Sequence, residues 1–317
     1  MVVELVHNHS VYKEMENEME SIYHGLCEII GKENVLTDEN MAKHTTFKAG
    51  GNAKYFVLPE DENQLAMLIK YLNKNNTKYY VVGNGSNLLV RDSGYEGVII
   101  KIGKNMSEIK INNNVLICQA GAYLSKVANL AFDNSLSGLE FAAGIPGMIG
   151  GAVAMNAGAY GGEFKDVVTK VWLLDKEGNN ICLSNSEMEF DYRKSVVQKY
   201  GYIVTSVELS LDEGEKEEIG NKMNEFLKAR KEKQPLEYPS AGSTFKRPKG
   251  YFAGKLIMDA GLAGESVGGA SVSEKHCGFI INKGNATATD IINLMDKVSN
   301  IVYEKYGVRL EPEVKII

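Results

Sequence analysis

Residues 139–162 constrain the fold more than any other stretch of this 317-residue chain. Gly144, Gly147, Gly150, Gly151, Gly158, Gly161 and Gly162 fall within it, Glu140 is its single charged residue, and apolar residues separate the glycines. A flexible linker of such glycine content is polar. This stretch reads instead as packed backbone against which something large lies, because glycine lets another group approach the main chain closely. Pro146 suits the first turn of a short helix, and that helix N-terminus, with Gly144 and Gly147 beside it, suits an anionic ligand. The competing reading is a glycine seam where a helix packs on a sheet.

A second glycine loop, Gly83-Asn84-Gly85-Ser86-Asn87, lies between two apolar, strand-like runs. Glycines there allow a sharp turn and a close approach to a pyrophosphate, with Ser86 and Asn87 as added donors. The loop lacks the third glycine and the following helix of the dinucleotide fingerprint, and no Gly-x-x-x-x-Gly-Lys occurs. Alone it is as readily a tight turn as a phosphate cradle. Two such loops in adjacent regions favour a nucleotide-type cofactor.

The chain is long enough for two or three domains. A net charge of −6 argues against a nucleic-acid partner but not against anionic ligands, which backbone amides hold without net positive charge. Cys27, Cys118, Cys182 and Cys277 lie too far apart for a zinc knuckle or redox dithiol, and His7 and His9 read as a frayed polar terminus, so no metal site is expected. No apolar run approaches the ~20 residues of a membrane span, and the N-terminus lacks the features of a secretory signal, so a cytoplasmic protein is expected.

Periodicity predicts helices over about 12–31 and through Leu65–Leu72, 124–134, 215–233, 253–260 and Ile291–Val302. It predicts strands at 53–58, 79–82, 88–90, 98–102, 115–119, 170–175, 180–183, 202–211, 278–282 and 308–317. The element order gives an α+β or α/β unit, the class expected being α+β, with boundaries expected at 1–104, 105–213 and 214–317. Three segments suit chemistry. Arg193, in Phe190-Asp191-Tyr192-Arg193-Lys194-Ser195, is either a two-pronged carboxylate clamp or a surface partner of Asp191 or Glu189. Ser243, in Ser240–Pro248, has no nucleophile elbow around it, which leaves a proton donor or an ordinary turn. Glu311 and Glu313 share one face of an extended segment by the two-residue period, with Pro312 between them, as ordinary edge-strand charges or as a functional glutamate.

These segments together resemble the UDP-N-acetylenolpyruvoylglucosamine reductase family. The resemblance runs from about Thr45 to Ile317 through Thr46–Gly51, Gly83–Asn87, Gly144–Gly147 onward to Asn156–Gly161, Tyr192-Arg193-x-Ser195, Ala241-Gly242-Ser243-x-Phe245-Lys246 and Leu310–Val314. It implies FAD held between two subdomains of the vanillyl-alcohol oxidase type, followed by a substrate-binding domain. The pyrophosphate would lie on Gly83, Asn84, Gly85, Ser86 and Asn87. Gly144, Ile145, Pro146, Gly147, Gly151, Ala152, Asn156, Gly158 and Ala159 would line the rest of the cofactor. NADPH would reduce the flavin, and UDP-N-acetylglucosamine enolpyruvate would be reduced to UDP-N-acetylmuramate for peptidoglycan synthesis, by a monomer. Ser243 matches the family's proton donor, and Arg193 and Glu313 match the pair that stabilises the enolate's carboxylate. Tyr192 would shape the pocket, Lys233 would hold the phosphates, and Arg247 and His276 are further substrate contacts. The short interval between Pro248 and Ala253 matches the branch without an extra tyrosine-bearing loop, and Arg247 replaces the other branch's polar amide. A flavin oxidase for alcohols or hydroxy acids, and a non-catalytic nucleotide-binding protein, are the rival readings.

Overall fold

The computed structural model describes residues 21–317, so His7, His9 and the start of the first expected helix lie outside the described residues. Helix α1 (21–30) ends at Gly31, whose φ of 81° lies in the left-handed region that glycine tolerates. A four-stranded sheet follows, in the order Val35–Asn40, Asn52–Val57, Tyr95–Lys101, Tyr79–Val82, antiparallel at the first pair and parallel at the others. Helix α2 (Glu62–Lys74) starts where Asp61 accepts from the Gln64 amide and buries Leu65, Leu68, Ile69 and Leu72, the stripe read from the sequence.

The second region is a five-stranded antiparallel sheet in the order Asn180–Ser184, Val168–Leu174, Ile203–Ser210, Val115–Gln119, Ile109–Asn112. Helices α3 (Leu124–Asp133), α4 (Ile149–Ala154) and α5 (Val196–Tyr200) accompany it, α4 packing on the central strand Ile203–Ser210. Helix α6 (Lys216–Lys233) buries Ile219 and Met223 in the same core. The third region folds a three-stranded antiparallel sheet (Ser266–Val267, Ala270–Val272, Ile280–Asn282) against α7 (Ala253–Asp259) and α8 (Ala288–Tyr306).

Three expectations change. Helix α4 begins at Ile149 rather than at Pro146, because Gly147 carries a φ of 147° that no helix contains and Met148 is its extended N-cap. The strand expected over 308–317 shortens to Lys315–Ile316, because the segment before it is held by an isolated bridge at Pro312, a residue without an N–H. The strands Val35–Asn40 and Ile109–Asn112, with burial patterns dominated by exposed positions, were not expected.

The third region is stitched to the first around the Gly83–Asn87 loop. Lys315–Ile316 pairs in parallel with Leu88–Leu89, the Lys315 amide donates to Asn87 O at 3.0 Å, and the Arg91 amide donates to Ile317 O at 2.8 Å. Phe47, Ala49 and Leu89 are buried in the third region's core, and Asn282 Nδ2 donates to Phe47 O at 3.0 Å. Helix α8 completes the joint. Its first two amides, from Ala288 and Thr289, each donate at 2.8 Å to the Asp92 carboxylate, while its third, from Asp290, donates at 3.0 Å to Thr287 Oγ1. The amides a helix start leaves open are thus satisfied partly from another region.

Burial works against the ionised Asp92 carboxylate, but hydrogen bonds from Thr289 and Ala288 outweigh it and hold its pKa below the ordinary aspartate value. The stabilisation from a lowered carboxylate pKa is present above the unfolded-state value and is lost as pH falls through the folded-state value. Asp92→Ala should therefore cost about 1–2 kcal/mol at neutral pH, the range of a lost helix cap. Urea unfolding at pH 7 and again below pH 4 should show that gap, then show it closing.

Candidate active site

A cleft of about 450 Å³ brings together Tyr192, Arg193, Ser243, Arg247, His276 and Glu313, which the sequence scatters over residues 192–313. Phe252, Met258 and Cys277 also line it. The sequence carries no motif for these three, which sit in or beside a short helix and a turn.

Arg193 occupies a tight turn closed by 3.1 Å hydrogen bonds between Asp191 and Lys194 in both directions, and its φ is 55°. A side chain in left-handed backbone costs on the order of 1 kcal/mol, so neighbouring structure must hold it there. Buried Ser195 caps α5 and donates through Oγ to Ala154 O at 2.7 Å, and Asn156 Nδ2 reaches Asp191 O at 3.2 Å. The Tyr-Arg-x-Ser turn is therefore pinned on the glycine stretch. Arg193 Nε donates to Glu313 Oε1 at 2.7 Å, which settles the pairing left open by the sequence, since Glu189 pairs with Lys199 instead. The Nη groups of Arg193 hydrogen-bond to no described residue.

Glu311 and Glu313 part company. The Glu311 side chain is 69% exposed and pairs with Lys246, whereas that of Glu313 is 11% exposed beside Arg193. Burial raises the Glu313 carboxyl above the ordinary glutamate value, with Arg193 opposing the shift. Glu313 is placed by its backbone: its amide donates to Thr244 O at 2.8 Å, and its carbonyl accepts from Asn87 Nδ2 at 3.1 Å.

Ser243 is exposed between buried Ala241 and buried Thr244. Thr244 holds the segment from both sides, its amide donating to Gly278 O at 2.8 Å and its Oγ1 accepting from the Ile280 amide at 2.9 Å. The Ser243 hydroxyl makes no hydrogen bond among the described residues, which leaves its proton available. His276 is half-buried and accepts at Nδ1 from the Gly278 amide at 3.2 Å. Burial lowers its pKa, so the neutral ring is favoured. Arg247 lies over the Phe252 ring at 3.9 Å, and its amide donates to Tyr192 Oη at 3.2 Å, linking the two walls. Lys233 ends α6 in solvent outside the cleft-lining set, and Lys275 of the cleft rim donates to Lys231 O at 2.8 Å.

The glycine loops adjoin one another. A Cβ added at Gly147 would lie 3.2 Å from Ser86 Oγ, and one at Gly83 would meet only Met148, at 3.5 Å. Packing explains some of the glycines: at Gly85 a Cβ would fall 2.0 Å from His44 O, and at Gly150 it would fall 2.7 Å from Ala120 Cβ. It does not explain Gly151, where a Cβ would meet nothing within 4 Å although glycine within helix α4 costs about 1 kcal/mol relative to alanine, whereas Gly161, equally open, is called for by its φ of 91°. The amides of Asn84, Gly85, Ser86 and Asn87 donate to no described residue, and Thr46 Oγ1, beside Gly85, is buried without a partner. Open donors, unfilled glycine surface and one orphaned hydroxyl fit a large anionic ligand such as FAD. Asn156 and Asn87 face other demands. Buried Asn156 donates to Glu163 Oε2 at 2.7 Å and accepts from the Lys165 amide at 2.9 Å, and Asn87 spends its amide on Glu313 and Met155.

Comparison with known proteins agrees with this geometry. Residues 53–184 match the model of an FAD-binding domain, and residues 234–317 match that of the C-terminal domain of UDP-N-acetylenolpyruvoylglucosamine reductase. The enzyme of that name from Caldanaerobacter subterraneus subsp. tengcongensis is 51% identical over 292 residues, covering 92% of this chain and 96% of the relative. The one from Clostridioides difficile is 50% identical over 298 residues, covering 94% and 98%. The crystal structure of the Thermus caldophilus enzyme superposes with a TM-score of 0.76 at 36% identity, covering 89% of this chain and 97% of that one. The α+β fold with an FAD-binding unit is the one expected. Matches of this extent, together with a cleft that holds arginine, glutamate and serine side by side, establish that the chain belongs to the UDP-N-acetylenolpyruvoylglucosamine reductase family.

Proposed function

We propose that the chain catalyses the NADPH-dependent, FAD-mediated reduction of UDP-N-acetylglucosamine enolpyruvate to UDP-N-acetylmuramate, the lactyl ether used in peptidoglycan synthesis. The carrying observation is the Arg193–Glu313 pair in the same cleft as the unpartnered Ser243 hydroxyl. Gly83–Asn87 and the stretch Gly144–Ala159 would hold FAD, which would supply the hydride when bound.

The protein's own residues do the rest. Glu313 fixes Arg193 through Nε, which leaves the Nη donors for the substrate carboxylate, where negative charge grows as hydride reaches the terminal enol-ether carbon. Donors preorganised toward developing charge lower the barrier most. Ser243 then gives its proton to the neighbouring carbon and regains one from solvent. Neutral His276, Arg247 and Tyr192 orient the sugar nucleotide, and Lys233, on the adjoining helix end, meets its phosphates. Residues 214–317 would form the substrate unit, with residues 1–104 and 105–213 holding the cofactor.

Ser243→Ala should keep flavin reduction by NADPH and lose on the order of 10²–10⁴ in the reoxidation of reduced flavin by the enol ether, the usual share of general acid catalysis. Stopped-flow absorbance separates these half-reactions, and equal loss in both would remove Ser243 from the proton-donor role.

Glu313→Gln should abolish most turnover without lowering thermal stability at pH 7. A raised carboxyl pKa means that the folded protein holds its proton more tightly, so the ionised group costs stability once pH exceeds the unfolded-state value. The midpoint difference between wild type and variant should shrink as pH falls toward 4, as read by calorimetry. A variant much less stable at pH 7 would instead make the pair a net stabiliser.

A further inference from the structure

Helix α6 carries a packed stripe on an otherwise charged surface. Ile219 and Met223 are core residues, the Phe226 ring stacks on Tyr160 at 4.6 Å with 5° between planes, and a Cβ added at Gly144 would lie 3.3 Å from Leu227 Cδ2. Arg230 continues this stripe at the three- and four-residue spacing of a helix face. The same added Cβ at Gly144 would lie 3.0 Å from Arg230 Cδ, and Tyr160 is near enough to act on the guanidinium electrostatically. Both ends of the glycine stretch thus meet the last turns of α6.

Arg230 is out of place for a structural cation. Burial pushes its pKa down, with Tyr160 acting in the opposite sense. Its guanidinium forms no ion pair or hydrogen bond with any described residue. The favourable interaction of a cation with the helix C-terminus needs no burial, and exposed Lys231 and Lys233 already provide it. A half-buried charge without a counter-charge is destabilising, so it persists where a ligand completes it.

We infer that Arg230 is a cofactor-binding residue whose guanidinium pairs with an anionic group of FAD lying along residues 144–161. The inference rests on the reading that FAD occupies this stretch, and the test separates the two. Apoprotein is titrated with FAD by fluorescence quenching, in wild type, Arg230→Met and Arg230→Lys, at low and high salt. UDP-N-acetylglucosamine is titrated in parallel as a probe for the sugar-nucleotide diphosphate. Failure of the wild type to bind FAD would end the cofactor reading itself. With wild-type binding intact, Arg230→Met should weaken FAD at least about tenfold, the size of a lost charge-assisted hydrogen bond. Arg230→Lys should fall between, and the gap should narrow as salt rises. UDP-N-acetylglucosamine affinity should not change, and the apoprotein melting temperature should not fall, since an unpaired half-buried charge is removed. An unchanged FAD affinity, or a loss confined to UDP-N-acetylglucosamine, would overturn the assignment. So would equal, salt-independent losses in both variants, which would mark Arg230 as packing alone.

Discussion

Glu313 makes one hydrogen bond with each of the three regions of the chain. Arg193 of the second region binds its carboxylate at 2.7 Å, Asn87 of the first binds its carbonyl at 3.1 Å, and Thr244 of the third accepts from its amide at 2.8 Å. A carboxylate taken out of water is tolerated when a well-placed cation and a rigid backbone compensate for lost hydration, and removing the partner leaves a charge that nothing screens. That constraint explains features that otherwise look unrelated. The parallel pairing of Lys315–Ile316 with Leu88–Leu89 sets the depth of Glu313, the left-handed turn at Arg193 brings its guanidinium alongside, and Ser195 and Asn156 hold that turn on the glycine stretch. The same restraints fix Ser243, because Thr244 supports both the serine segment and the Glu313 amide.

Asn87 gives this arrangement a direction. Its backbone belongs to the loop with open amides and its side chain reaches Glu313, so the loop suited to a pyrophosphate and the carboxylate that orients Arg193 are one hydrogen bond apart. Parts tied together in this way keep the two walls of the site in register, since misplacements of about 1 Å are enough to slow chemistry severely. The joint at Asp92, which satisfies the first amides of α8 from outside the third region, serves the same rigidity at a distance from the cleft.

Much of this was legible from residues alone. Helix α2 and the strands at 79–82 and 115–119 follow from hydrophobic period, and both glycine loops stood out by composition. Arg193, Ser243 and Glu313 were reachable only through their resemblance to a family, because each sits in a loop whose neighbours permit a bland reading. Local pattern failed wherever a long-range contact decides. The equivalence of Glu311 and Glu313 under a two-residue period dissolves once Lys246 and Arg193 claim one each. Pro146 resembled a helix start, but Gly147, freed from ordinary backbone limits and set against Ser86, moves the helix to Ile149. Arg230 hid in a run of basic residues, and its face of the helix became visible only with Gly144 and Tyr160 against it.

The glycines themselves divide by cause, and the division argues for what the fold is built around. Gly85 and Gly150 are required by protein atoms that a side chain would strike, so any folded relative of this shape would need them with or without a ligand. Gly161 is called for by its φ of 91°, but Gly151 strikes nothing and weakens a short helix without improving its packing. Residues kept at a cost in stability mark the surface where a partner lies. On the same stretch, a Cβ at Gly147 would lie 3.2 Å from Ser86 Oγ, in the loop whose amides stay open. The open side of the glycine stretch therefore suits a large cofactor.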